Sequence, residues 1–302
     1  MYGIRLATSQ LSTFAGPTES MLLYGLVLAF FSLRYILSAA GPLGNFSHGV
    51  VPWIAYLTFT QNIWMRLLGT FGVGAMAATW LLAVEEQFYL TIPLVIRKVA
   101  RSHLMLVLVS VIVLAPLLRT ALYLLLGHGN FAAYVLMPCR ADTLCLGALC
   151  ALIVRTPRWR KLLLAHRTFL YCATGFLFLG LVALTHRGYE LSSLMVTVGC
   201  SWVGLFYSGC LLIAVTANSG LTRHILCNCF LMQLGVLAYC TYLLHLPLIE
   251  ASCRLLGLRW NYASTTAQFR GGLVGIALTI VIAKFSWTFF EKPLLRRGHA
   301  HK

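Results

Sequence analysis

Leu104–Leu126 reads LMLVLVSVIVLAPLLRTALYLLL, an unbroken apolar stretch whose one charged side chain is Arg119. Crossing the hydrocarbon core of a bilayer takes about 20 residues of helix. The run has that length and shows no period-2 alternation, so a barrel strand does not fit it. In lipid the backbone must satisfy its own hydrogen bonds, which leaves a helix. Comparable runs lie on both sides. Upstream are Ser20–Ala40, a shorter polar-interrupted stretch at Val50–Trp64 that spans or re-enters, and Gly72–Ile96. Downstream are Tyr134–Val154, Thr168–Thr185, Leu191–Ala217, Leu234–Leu256 and Gly271–Phe290. The expectation is an all-α, polytopic transmembrane bundle of roughly 8–9 spans, with residues 1–302 forming one domain.

The totals agree. The 302 residues are 60% hydrophobic and 10% charged, against about a quarter charged in a soluble domain. Mean hydropathy is +0.84. The net charge of +16 raises the question of nucleic acid. The Lys and Arg residues, however, sit between apolar runs and make no contiguous basic face, so no nucleic-acid partner is expected. Most of the ten cysteines, among them Cys145, Cys150, Cys200, Cys210 and Cys240, fall inside apolar runs and read as small apolar packers. Cys227 and Cys229 lack zinc-finger spacing. No metal and no obligatory disulfide are expected. Residues 1–19 lack the h-region of a cleavable signal peptide, so the spans themselves would direct insertion.

Loop charge sets the orientation. If Arg97–His103 is cytoplasmic, alternation puts Arg155–Arg167, Asn218–Arg223 and Lys292–Lys302 inside too. These loops are rich in Lys and Arg, including Arg97, Lys98, Arg101, Arg158, Arg160, Lys161 and Arg223. The opposite loops hold Arg187, Arg254, Arg259 and Arg270 alone. The bias predicts a cytoplasmic Arg155–Arg167 loop.

Ionisable side chains within spans are the natural site candidates, because each costs about 2.5–3.5 kcal/mol to insert at mid-membrane. Glu85 and Glu86 stand near the middle of Gly72–Ile96 and point about 100° apart. An inter-helix ion pair would explain them structurally; a polar cavity would explain them functionally. Arg140 and Asp142 begin the Tyr134–Val154 run. Two residues apart on a helix, they face different ways and are not expected to pair with each other. His245 follows Thr241 and Tyr242 on one face and precedes Pro247, where a kink is expected. A satisfied core histidine and a proton-relaying one both fit that pattern. Arg119 needs a counter-charge, and Glu85 or Glu86 is the expected partner. No phosphate-binding Gly-rich loop, Gly-x-Ser-x-Gly elbow or His-Glu-x-x-His is present.

Several of these residues fall into one ordered set. Trp80-x-x-x-x-Glu85-x-x-Phe88-Tyr89-x-x-x-Pro93 resembles the Trp-Ser-Leu-x-x-Glu-x-x-Phe-Tyr signature of the acyltransferase 3 family, with Leu81 where that signature has Ser. Arg140-x-Asp142-x-Leu144-x-x-Gly147 resembles the family's Arg-x-Asp-x-Leu-x-x-Gly segment. Ala238-Tyr239-x-x-Tyr242-Leu243-x-His245-x-Pro247 is similar to its Ser-Tyr-x-x-Tyr-Leu-x-His-x-Pro segment. Tyr56-Leu57-x-Phe59-x-x-Asn62 and the closing Glu291-Lys292-Pro293 also fit. All five occur in order from residue 56 to the C-terminal region.

The resemblance implies about ten transmembrane helices. It implies transfer of an acyl group, often acetyl from acetyl-CoA, to a hydroxyl of a carbohydrate or related acceptor such as a glycolipid. It also implies residence in membrane lipid, in the bacterial cytoplasmic (inner) membrane. No permanently bound cofactor is expected; acyl-CoA enters as donor substrate. His245 and Glu85 are carried over as catalytic candidates, and Arg140, Asp142, Tyr242, Trp80 and Arg119 as substrate-binding ones. The family's first helix bears an Arg and, eleven residues on, a His that serves as base. Here Arg5 is followed at that spacing by Gly16 and Arg34 by Asn45. The chain is therefore expected to lack the family's first helix or two. It is expected to transfer acyl groups poorly unless His245, or His48 in an outer loop, takes the base's place. A non-catalytic remnant or a polytopic transporter is the alternative.

Overall fold

The computed structural model describes residues 51–126, 130–187, 193–217, 220–226, 228–256 and 266–293, together with Gly25. The expected Ser20–Ala40 span and His48 lie outside the described residues. Within them every regular element is helical. In chain order these are α1 (Trp53–Leu57), α2 (Gln61–Leu68), a 3-10 turn (Gly74–Met76), α3 (Thr79–Lys98), α4 (Arg101–Leu125), α5 (Asn130–Val135), α6 (Met137–Arg155) and α7 (Pro157–Ala165). They continue with α8 (Arg167–Arg187), a π turn (Met195–Gly199), α9 (Cys200–Thr216), α10 (Leu221–Leu226), α11 (Cys229–Leu255), α12 (Thr266–Ser286) and a π turn (Trp287–Glu291).

Six helical stretches among the described residues are long and apolar enough to cross a membrane: those built on α4, α6, α8, α9, α11 and α12. Three expectations are corrected. The Val50–Trp64 stretch is no spanning helix. It breaks at Phe59, whose φ of 52° no continuing helix adopts, into the short α1 and α2. The Gly72–Ile96 helix begins only at Thr79, after the 3-10 turn. Its Glu85, Glu86, Arg97 and Lys98 leave it outside the apolar six. The Tyr134–Val154 run is split at Leu136, which is extended (φ −78°, ψ 139°), so Tyr134 ends up on α5 and Arg140 on α6. Pro138 is the cause: it has no N–H to give to the Tyr134 carbonyl four residues back.

The described residues fall into two compact units. One comprises residues 59–70 and 80–228. In it α6 packs between α4 and α9, and α9 packs against α8. Phe88, Leu108 and Cys145 bring α3, α4 and α6 to a common apolar core, with Ile92, Val111 and Leu144 around them. Helices α8 and α9 meet across Gly209, which faces Thr174, while the Trp202 indole N–H donates to the Leu177 carbonyl at 2.8 Å. The other sides of these helices carry exposed Leu, Val and Phe, the surface that lipid covers. Asn62 and Gln87 close the α2 side through reciprocal amide hydrogen bonds of 2.9 and 3.2 Å. Asn62 also donates to the Val135 carbonyl and Gln87 to the Phe59 carbonyl, so the irregular backbone around Phe59 is satisfied by side chains.

Among the described residues the second unit comprises 51–58, 71–79, 229–256 and 266–293. Helices α11 and α12 are its main pair, with the 3-10 turn against α11. Gly271 and Gly275 form a small-xxx-small face. A side-chain carbon at Gly275 would lie 2.6 Å from the Ile249 Cα, and one at Gly271 2.7 Å from the Cys253 sulfur. Small residues of this kind let membrane helices approach closely enough for dispersion to hold them. Gly275→Leu is expected to separate α11 from α12 and to cost about 1–3 kcal/mol, as overpacking does. Gly272→Leu, three positions back and into open space, is the control. Thermal unfolding in detergent checks this: equal losses from both variants would show that α11 and α12 do not depend on the glycine contact.

Candidate active site

The Pro138 break that ends α5 is also what positions Arg140. The freed Tyr134 carbonyl accepts from Arg140 Nε at 2.9 Å. The guanidinium lies over the Tyr134 ring at 4.3 Å and the Trp80 ring at 5.1 Å, and those rings pack on each other with centroids 5.0 Å apart. Cation–π attraction is strongest where water is excluded. Trp80, Tyr134 and Arg140 thus act as one unit, although only Trp80 and Arg140 stood out in the sequence. Among the described residues no carboxylate pairs with Arg140.

Asp142 is on the other side of α6 and is fully occupied. Arg119 of α4 makes a bidentate pair with it, at 3.0 and 2.9 Å, both side chains at 0% exposure. Arg119 also donates to the Cys139 carbonyl at 2.6 Å and to the Ser201 hydroxyl, and Ser201 donates to Asp142 at 2.6 Å. Of the Arg119 nitrogens, Nε is buried with no hydrogen-bond partner among the described residues. The expected pairing of Arg119 with Glu85 or Glu86 is therefore corrected. The α4–α6 packing turns Arg119 toward Asp142, and a planar guanidinium meets a carboxylate best two-on-two. Arg140 and Asp142 do not pair with each other, as their spacing implied. Ser201 went unremarked in the sequence because a serine in a span is ordinary.

Beside this lock lies a cleft of about 450 Å³ between α6 and α9, with Arg140 and Tyr134 at one end and Thr143, Gly147, Gly204 and Leu211 along it. Glu85 and Glu86 are half-buried on α3. Among the described residues Glu85 has no hydrogen bond or ion pair.

In the unit of α11 and α12, the Tyr242 hydroxyl donates to the Ala78 carbonyl at 2.8 Å and its ring packs on His245 with centroids 5.7 Å apart. His245 Nδ1 lies 2.6 Å from the Tyr242 carbonyl. A carbonyl only accepts, so Nδ1 carries the proton, and in a neutral ring Nε2 is then the accepting nitrogen. Pro247 removes the helical bond to the Leu243 carbonyl one turn back. The sequence reading missed Glu250. Its carboxylate would meet a side chain at Gly74 at 3.4 Å, and a carboxylate within a spanning helix was the signal.

Membrane-length helices that carry, in one unit, a buried ion pair and a cation over aromatic rings and, in the other, an oriented histidine define an integral membrane protein with polar groups inside each of its units. The model of a family described as an acyltransferase domain matches residues 20–284. The chain belongs to this family, acyltransferase 3, and is a membrane acyltransferase. None of the curated proteins and none of the solved structures compared with it matches.

Proposed function

We propose that this acyltransferase moves an acyl group, acetyl foremost, from acyl-CoA to a hydroxyl of a cell-surface carbohydrate or glycolipid in the bacterial cytoplasmic membrane. The observation that carries this reading is Arg140: a cation clamped by Trp80 and Tyr134 at the end of a cleft, with no carboxylate partner among the described residues. A fixed guanidinium presents two parallel N–H donors to an anionic group on the acceptor. Arg119, Asp142 and Ser201 line no part of that cleft. Their part in substrate binding is indirect: they fix the first turns of α6, from which Arg140 projects.

The chemistry needs a base, since a neutral hydroxyl is a weak nucleophile. His245, its Nδ1 proton donated to the Tyr242 carbonyl, has Nε2 to take the hydroxyl proton. The hydroxyl oxygen attacks the thioester carbonyl carbon, the C–S bond breaks, and the CoA thiolate leaves with the proton that His245 received. Tyr242 holds the imidazole through ring packing while its own hydroxyl is tied to Ala78. Glu85, half-buried and with no hydrogen bond or ion pair among the described residues, is the second proton acceptor in this reading.

Purified full-length chain in lipid nanodiscs, given acetyl-CoA and a surface glycan carrying carboxylate groups, is expected to release CoA and esterify the glycan. Arg140→Gln is expected to raise KM for that glycan while leaving KM for acetyl-CoA in place. Acceptor-independent CoA release with no ester formed would refute the assignment.

A further inference from the structure

The cleft beside Arg140 lies between helices that cross the membrane, and it opens sideways. Tyr207 and Leu211, on its α9 wall, are 62% and 42% exposed. Its polar end is Arg140. Away from Arg140 the lining is mostly apolar, set by Gly147, Val203 and Leu211, with Tyr207 and Ser208 on the α9 wall. From Arg140 to Gly147 the α6 wall rises about 10 Å. Gly147 is the residue that leaves the room: a side-chain carbon built there meets nothing within 4 Å. By contrast Gly204 is a packing glycine, since a side chain there would press on Thr143 at 2.8 Å.

A single cation at one end, an apolar slot behind it and an opening toward lipid match one ligand shape. We infer that the cleft binds an amphiphile with an anionic head and an apolar chain, the lipid anchor of a membrane-presented acceptor. The head lies on Arg140 and the chain along Gly147 and Leu211. This deepens the acyl-transfer reading and rests on it only for the word acceptor. Asp142 does not compete for the guanidinium, because Arg119 and Ser201 consume both its oxygens. A lipid-borne anion is favoured over acyl-CoA because one guanidinium stands at the polar end, whereas CoA brings several phosphates. The ligand enters laterally, in the plane of the membrane.

The test uses the full chain in phosphatidylcholine nanodiscs with a diazirine-bearing dodecyl phosphate as probe and peptide mapping as readout. Labelling is expected on α6 and α9 around Gly147 and Leu211. Excess dodecyl phosphate should suppress it at least ten-fold, and dodecanol or palmitoyl-CoA should not. Gly147→Leu, which fills the slot, and Arg140→Gln are each expected to abolish it. Gly147→Ala, sterically free at this position, should retain it and should report that the fold tolerates the site. Suppression by dodecanol as well as by the phosphate, suppression by palmitoyl-CoA, or labelling undiminished in Gly147→Leu would each overturn the inference. Labelling is scored without turnover. A chain that binds the probe but forms no ester therefore sinks the acyl-transfer reading and leaves the cleft; ester formation without labelling does the reverse.

Discussion

Replacing Asp142 by alanine is expected to cost about 3–5 kcal/mol of stability, because it strands a fully buried guanidinium. Arg119 would keep the Cys139 carbonyl and Ser201, but neither oxygen carries charge. Asp142→Asn, which retains the shape and loses the charge, should sit between wild type and alanine. The informative variant is the double replacement Arg119→Met with Asp142→Leu. Swapping a buried ion pair for apolar groups of similar volume is often neutral or stabilising by about 1–4 kcal/mol. The double variant is therefore expected to fold where Asp142→Ala does not, as read by monodispersity and unfolding temperature in detergent. If the folded double variant transfers acyl groups at the wild-type rate, the pair serves α4–α6 packing alone. If it folds and the KM for an anionic acceptor rises, the pair positions Arg140. A double variant less stable than Asp142→Ala would contradict the view that the cost lies in the stranded charge.

His245→Ala is expected to lower kcat for acyl transfer by about 10²–10⁴-fold, the usual contribution of a positioned general base. A base acts on the proton in flight and not on bound donor, so KM for acetyl-CoA should stay near its wild-type value. Tyr242→Phe removes the hydroxyl tied to Ala78 and leaves the ring against His245. Its loss should be far smaller, in line with one neutral hydrogen bond of about 0.5–1.5 kcal/mol. Glu85→Gln provides the comparison. A drop in kcat for Glu85→Gln matching that of His245→Ala would mean that both groups handle the proton. A drop for Glu85→Gln alone would move the base to α3.

The class of protein was legible in the sequence for a physical reason. Whether a segment can live in lipid depends on its own length and polarity, and Leu104–Leu126 meets both conditions without reference to any neighbour. The same local logic exposed Arg119, Arg140, Asp142, Glu85 and His245, because a charge or an imidazole in such a run is costly wherever it points. The motifs around Trp80, Arg140 and His245 named the family for the same reason: they are short and contiguous. Glu250 obeyed that rule and was overlooked. Pairing is another matter. Arg119 meets Asp142 and Ser201, not Glu85 or Glu86, and no spacing along one helix contains that result. It follows from how α4, α6 and α9 rotate against one another to bury Leu108 and Cys145 and to set Gly204 against Thr143. The break at Leu136 shows the two kinds of information meeting. Pro138 announces in the sequence that the Tyr134 carbonyl will lose its helical partner. Only the folded chain decides that Arg140 takes the vacancy, and that the guanidinium so held lies over two aromatic rings packed on each other, beside an open cleft.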